Sequence, residues 1–172
     1  MDNELTVGRD TMRIVEAKME DMPRILQIYE IARNFMKATG NPTQWKNNFP
    51  PESMLAEDIR AGHLYTVISD SAIHAVFALV EGEEPTYAKI EQGHWIFDAA
   101  YGTLHRIASD GSVHGMFDEM IAFSSQKIRH LRIDTHENNR VMQHLIEKNG
   151  FQKCGIIYVA DGSPRIAYEK WE

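Results

Sequence analysis

A single cysteine, Cys154, stands in a chain of 172 residues. That scarcity excludes an internal disulfide and any cysteine-rich zinc site, and it fits a reducing compartment. Cationic runs are missing as well: 18 Lys and Arg face 25 Asp and Glu, for a formal charge of -7. Such a balance argues against non-specific attraction to nucleic acid or to an anionic membrane, and it leans toward a cationic substrate. No apolar stretch approaches the roughly 20 residues that span a bilayer. Residues 1–10 lack a positive n-region followed by an apolar segment, so a soluble, cytoplasmic protein is expected. Repeats and low-complexity tracts do not occur. Neither do a G-x-S-x-G elbow, an H-E-x-x-H pair or the Gly-Lys-Ser/Thr of a P-loop. What the chain does have is 43% hydrophobic residues, enough for one substantial core, and a length that predicts a single domain over 1–172.

Residues 12–17 (MRIVEA) read as a strand. Asp21 and Pro23 open a helix whose apolar set Ile25, Ile28, Tyr29, Ala32, Phe35 and Met36 keeps helical spacing until Gly40. A polar, Pro-rich connection leads to a short helix from Glu52 to Ala61, with Leu55 and Ile59 inward. Residues 63–69 and 72–81 suit an antiparallel hairpin about Asp70 and Ser71. The long connection 82–102 carries Tyr87, Trp95, Phe97 and Tyr101, and long aromatic loops often border binding sites. Strand 102–109, a helix from Phe117 to Gln126 and strand 128–135 then imply a parallel pair with a right-handed crossover. Asn138 or Asn139 caps the next helix, which should turn Val141, Leu145 and Met142 to the sheet. A terminal hairpin turns at Asp161 and Gly162.

The stretch "LHRIASDGSVHGMFDEM", residues 104–120, passes from strand to helix through Gly111 and Gly115. In that geometry free backbone N–H groups at a helix start converge on an anion, helped by the helix dipole. The same glycines also serve a plain turn. Asp110, Asp118 and Glu119 oppose a phosphate there, and acids in a first helical turn stabilise it without any ligand. The G-x-G-x-x-G spacing of a dinucleotide fingerprint is missing. On local chemistry, anion site and plain turn both stay open.

Two stretches carry a family resemblance. "HRIASDGSVHGMF" sits where the GNAT superfamily of acyl-CoA-dependent N-acetyltransferases has a strand followed by Q/R-x-x-G-x-G/A, with Gly115 on the central glycine. "NRVMQHLIEKNGF" resembles the family's N-x-x-A-x-x-L-Y-x-K-x-G-F at Asn139, Leu145, Lys148, Gly150 and Phe151. "RIDTHENN" and "CGIIYVADGSPRIAYEK" look like a bacterial subgroup of small GNAT proteins, and the order β, α, α, β, β, β, α, β, α, β, β matches over residues 12–172. The departures are Ser112 for Q/R, Phe117 for the final small residue, Met142 for Ala, and Ile146 where many members carry a thiolate-protonating Tyr. Phe117 either packs inward and leaves the N–H groups available, or narrows the approach to them.

The resemblance implies an α/β GNAT fold: a mixed central sheet with a splayed parallel strand pair and helices on both faces. It implies acetyl-CoA as co-substrate, with the strand at Ile107, Ala108 and Ser109 pairing the pantetheine arm. Gly111, Val113, His114, Gly115, Met116 and Phe117 would surround the pyrophosphate, and Asn139, Met142 and Lys148 complete the implied cofactor-binding set. Attack of a neutral amine on a thioester needs a base, a stabilised oxyanion and a protonated sulfur. Candidates for the base are His136, His105 and Glu91; His136 could equally bond the cap of the following helix. His105 and Arg106 should alternate across the strand, with Arg106 paired to Asp134 as the structural alternative. Tyr158 is the nearest replacement acid, or a core tyrosine with its hydroxyl at the surface. Trp45, Tyr87, Trp95 and Tyr101 either shape the amine pocket or form a small core of their own.

No metal is expected, since His130, His136 and His144 share no zinc spacing, and Cys154 reads as a small buried residue. The acceptor is expected to be a small-molecule or peptide amine, and the C-terminal strands offer an edge for a homodimer. The competing function is a CoA-binding or regulatory module that keeps the fold without turnover, motivated by Ile146, Phe117 and the acidic loop.

Overall fold

The computed structural model describes residues 12–172, so the reading of residues 1–10 falls outside the described residues. Segments rich in β-branched and aromatic residues form strands β1 (Arg13–Glu16), β2 (Leu64–Ser69), β3 (Ala72–Glu81), β4 (Gly102–Ser109), β5 (His130–Thr135), β6 (Gln152–Tyr158) and β7 (Pro164–Trp171). Between them lie helices α1 (Met22–Ala38), α2 (Glu52–Arg60), α3 (Met116–Lys127) and α4 (Arg140–Lys148). One sheet takes the order β1-β2-β3-β4-β5-β7-β6. Every neighbouring pair is antiparallel except β4 and β5. Asp70 and Ser71 close the β2–β3 hairpin with φ of 50 and 62, the two left-handed residues that a twist-compatible two-residue turn requires.

The parallel ladder is short. It holds Gly102 against Leu131 and Thr103 against Arg132, and β4 and β5 part beyond these pairs. A bulge in β4 accompanies the parting: Ala78 faces His105 and Val76 faces Ala108, so Arg106 and Ile107 together oppose the single Phe77. Arg106 takes φ of 51, and a bulge of this kind bends its strand. The Tyr29 hydroxyl donates to the Arg106 carbonyl at 2.6 Å and holds it there.

Side-chain alternation divides the core in two. Leu104, Leu131, Ile133 and Phe77 face α3 and α4, packing on Met116, Phe117, Met120, Ile121 and Ile146. Val76, Ala78 and Ala108 face α1 and α2, against Ile25, Ile28, Tyr29 and Leu55. Helices therefore cover both faces. Ile107 packs on the α3–α4 side and Ala108 on the other, which leaves the bulged Arg106 on the same face as His105. The expected alternation of His105 and Arg106 is thus overturned by one inserted residue, and Arg106 pairs with Asp58 of α2 rather than with Asp134.

Two helix faces also differ from expectation. Phe35, in the last turn of α1, is exposed. Val141 is exposed at the first turn of α4, while Ile146 is fully buried with Met142 and Leu145 packed beside it. The 82–101 connection covers β5, β7 and β6 on the α1–α2 side, where Tyr87 and Tyr101 bury against Ile157 and Ala167. A buried carboxylate pins it: Glu169 accepts from the Ile96 and Phe97 N–H groups at 2.7 and 3.1 Å, from His130 Nε2 at 2.7 Å and from Arg132 Nε at 2.8 Å. The Arg132 guanidinium lies between the Trp95 and Tyr101 rings at 4.1 and 4.0 Å. Cys154 is buried as expected, and burial pushes its thiol up to about 11. Among the described residues no helix is long and apolar enough to cross a membrane.

Candidate active site

The turn from β4 to α3 is built around one carboxylate. Asp110 Oδ1 accepts from the Ser112 N–H at 3.0 Å and from the Ser112 hydroxyl at 2.6 Å. Its other oxygen meets Arg24 Nη2 at 2.6 Å and His74 Nδ1 at 2.7 Å. Burial opposes ionisation, yet Ser112 and His74 hold this carboxyl down at about 2. Gly115 is the residue before α3 and adopts φ of 82, a left-handed conformation that a side chain would strain. Among the described residues no acceptor is found for the N–H groups of Val113, His114 and Gly115, while residues 114 and 115 form a hydrogen-bonded turn into α3. Phe117 itself is buried in the core. Asp118 is turned to the end of α4, where Asn149 Nδ2 donates to it at 2.9 Å and Lys148 lies at 3.6 Å. Donors at a helix start are able to take an anion, while Arg24 and His74 beside them are engaged with Asp110.

A cleft of about 640 Å³ continues from the divergence of the strands. Leu104 to Ile107 of β4 form one wall and Ile133 to Thr135 of β5 the other. Asn139 and Met142 of α4 close one end; Trp45 and Phe49 from the 41–51 connection and Arg165 from β7 line the rest. Past Thr103 the β4 edge facing β5 has no ladder partner, so peptide groups there are available to a bound chain of amides.

Within the cleft His105 Nε2 lies 3.1 Å from Glu84 Oε2. Glu84 is fixed in turn, its own N–H donating to the Tyr101 hydroxyl at 2.8 Å, and the His105 hydrogen bond holds its carboxyl at about 2. An ionised Glu84 accepts a hydrogen bond from Nε2–H, and Nδ1 of His105 has no protein partner among the described residues. Asp134 accepts from the Tyr87 hydroxyl at 2.7 Å; burial raises its carboxyl above the ordinary value, against the pull of Tyr87, His105 and Arg165. Asp58 closes a two-point pair with Arg106 at 2.8 and 3.0 Å.

The other sequence candidates fall in distinct places. His136 accepts the Asn138 N–H on Nδ1 at 3.0 Å at the entrance to α4; burial, then the charge of Arg165, lowers its pKa. It does not line the cleft. The Tyr158 hydroxyl donates to Glu91 at 2.8 Å on the exposed side of β6, so neither residue reaches the cleft. Asn139 caps α4 by accepting the Met142 N–H at 3.1 Å and donates to Gln44 at 3.0 Å. Lys148 is paired with Asp118. His114 is exposed on the turn, and Ile107, Ala108 and Ser109 complete β4. Trp45 lines the cleft and packs on Tyr29 and Phe49. Tyr87 and Tyr101 act on it through hydroxyls, and Trp95 lies outside, on Arg132.

Sequence reasoning missed Glu84, Asp58 and Arg165. Glu84 had one signal, an acid directly before Pro85 at the start of a 3-10 turn, where its side chain accepts the Thr86 N–H. No group of His, Cys, Asp and Glu able to hold a metal is found among the described residues.

No family model matches the sequence, and no curated protein matches it. Solved structures do. An acetyltransferase of the GNAT family from Streptococcus agalactiae 2603 shares 30% identity at a TM-score of 0.86, covering 94% of this chain and 95% of that one. Another from Listeria monocytogenes 4b F2365 has a TM-score of 0.69 at 17% identity, covering 94% and 95%. The ribosomal-protein-S18-alanine N-acetyltransferase of Escherichia coli reaches 0.60 at 15% identity, covering 94% of each chain. These last two share the fold. With the parted β4–β5 pair, the donor-rich turn at Gly115 and 30% identity along nearly the whole length of the first structure, the chain belongs to the GNAT family of acetyltransferases.

Proposed function

We propose that the chain moves the acetyl group of acetyl-CoA to a primary amine. What supports the reading is a donor-rich turn at 113–115 at the end of the same strand, β4, whose residues 104–107 wall the cleft where β4 and β5 part. The turn's free N–H groups suit a diphosphate, and the unladdered edge of β4 suits the amides of a pantetheine arm. Acetyl-CoA supplies a thioester carbonyl open to attack.

His105 is the base this arrangement favours. Glu84 orients the imidazole through Nε2, so Nδ1 takes the proton of an incoming ammonium. The C–N bond forms as the C–S bond breaks and the sulfur departs as thiolate; of the two protons an ammonium loses, one goes to His105 Nδ1 and the other to the thiolate or to solvent. Ile146 is fully buried, so the position that holds an acid in many relatives contributes none, and departure relies on the stability of the thiolate itself. Arg106 and Asp58 neutralise each other at the cleft wall and hold the bulge in shape.

Calorimetry with acetyl-CoA and thiol release over an amine panel test the proposal. Expected are saturable binding and release dependent on amine, with H105Q lowering kcat by about 10²- to 10⁴-fold. Absence of binding at millimolar acetyl-CoA would overturn it. Binding without acetyl transfer to any amine would favour the module without turnover.

A further inference from the structure

Of the two arginines buried among the described residues, Arg132 is paired with a carboxylate and Arg165 is not. Arg24, Arg106 and Arg132 each meet a carboxylate within 2.8 Å. Arg165 lines the cleft, is only 6% exposed, and forms no ion pair among the described residues. Its Nη1 donates to the Pro164 carbonyl at 2.8 Å and its Nη2 to the Gln44 carbonyl at 3.2 Å. Those bonds use two of five N–H donors, both toward neutral oxygens. Asp134 and Asp161 act on it electrostatically, but each is bonded elsewhere, Asp134 by the Tyr87 hydroxyl and Asp161 by the Ser163 N–H. A guanidinium does not shed its charge, and burying it without an anion is unfavourable.

Register places this cation relative to the reacting end. Asp134 of β5 stands opposite Ala167 of β7, and Arg165 is two residues from Ala167 on the same face. Diagonal neighbours of this kind lie about 7–8 Å apart, close enough for one small molecule to touch both. His105, Glu84 and Asp134 therefore mark an amine-seeking side of the cleft and Arg165 an anion-seeking side.

We infer that the acceptor carries a carboxylate as well as its amine: Arg165 receives the carboxylate on its free donor edge while the amino group faces His105 and Asp134. The substrate class is a free amino acid or a similarly small amino carboxylate. A guanidinium fork matches a carboxylate by two parallel hydrogen bonds. The overall charge of -7 leans toward a cation, and Arg165 adds a local positive charge that suits an anionic group on the same molecule. The inference rests on the acetyltransferase reading above.

The test separates the two. Calorimetry with CoA alone comes first, and no binding at millimolar CoA removes the acetyltransferase reading together with this inference. Thiol release from acetyl-CoA is then measured on acceptor pairs that differ only in carboxylate against carboxamide, such as phenylalanine and phenylalaninamide or β-alanine and its amide, across the protein amino acids. The expected result is a kcat/KM preference of about 10- to 100-fold for the carboxylate member of the accepted pair, lying mainly in KM. R165Q should bring that ratio toward unity and R165K should restore part of it. CoA binding with a preference for carboxamides, peptides or simple amines overturns the inference. So does CoA binding with no amino acid accepted, or a loss in R165Q that is equal for both members of a pair. If R165Q does not fold by thermal melting, the wild-type ratio and R165K still decide.

Discussion

Replacing Glu169 with Gln perturbs the most heavily used buried group of the fold. The side chain is fully enclosed and accepts five hydrogen bonds, from His130, Arg132, the Ile96 and Phe97 N–H groups and, at 4.0 Å, the Cys154 thiol. Gln retains one carbonyl oxygen for the two loop N–H groups but turns an amide toward His130 and Arg132, which leaves the buried Arg132 guanidinium without its carboxylate. Breaking a buried pair from one side destabilises a protein by about 3–5 kcal/mol. That is a large part of the roughly 5–15 kcal/mol by which a domain is stable. Arg132 keeps its stacking between Trp95 and Tyr101, worth up to about 2 kcal/mol, so the aromatic part of the loop should outlast the part beyond Trp95. Urea unfolding should show the loss of stability, and hydrogen exchange should show early opening at Ile96 and Phe97. A loss below about 1 kcal/mol, or a loss with exchange at those two amides unchanged, would refute the reasoning.

Acid sensitivity follows from the lowered carboxyls. Glu84 and Asp110 both sit near 2, and Glu169 is lowered by His130 and Arg132 against its burial; all three therefore stabilise the fold fully above about pH 4.5, and that contribution fades as pH falls toward 2. Melting temperature against pH should fall over that window, and E84Q should flatten part of it; a flat profile would count against the assigned partners. I146Y places a larger side chain where Ile146 is fully buried, so stability should fall by about 1–3 kcal/mol without any rise in kcat, and a rise would show that the position opens on the cleft. G115A forces a methyl-bearing residue to φ of 82 with no atom within 4 Å to clash, so a loss of roughly 1–2 kcal/mol in urea should come from backbone strain alone. No loss would mean that the turn relaxes freely.

The parts of the fold carried by local chemistry were legible. Strand 102–109 and the hairpin about Asp70 and Ser71 appear where alternation and turn residues put them, because each signal is complete within a few residues. The bulge at Arg106 left no trace, since arginine does not advertise a left-handed backbone and one inserted residue looks like any other step of the strand. Val141, expected at the sheet, is exposed, because a nine-residue helix with apolar residues at 141, 142, 145 and 146 fits more than one facing; only the core that Ile146 shares with Met120 and Phe151 chooses. For the site, the glycine turn and the splayed pair were readable as one motif. Glu84, Asp58 and Arg165 were not, since they arrive from three separate segments whose meeting is decided by the fold.

The most direct test of the central claim is amide chemical-shift mapping of the isotopically labelled protein during titration with CoA. If the β4–α3 turn and the parted strand edge hold the acyl carrier, the largest shifts fall on Val113 to Phe117 and on the bulged part of β4. Shifts absent at millimolar CoA, or confined to surfaces away from that turn, would contradict it.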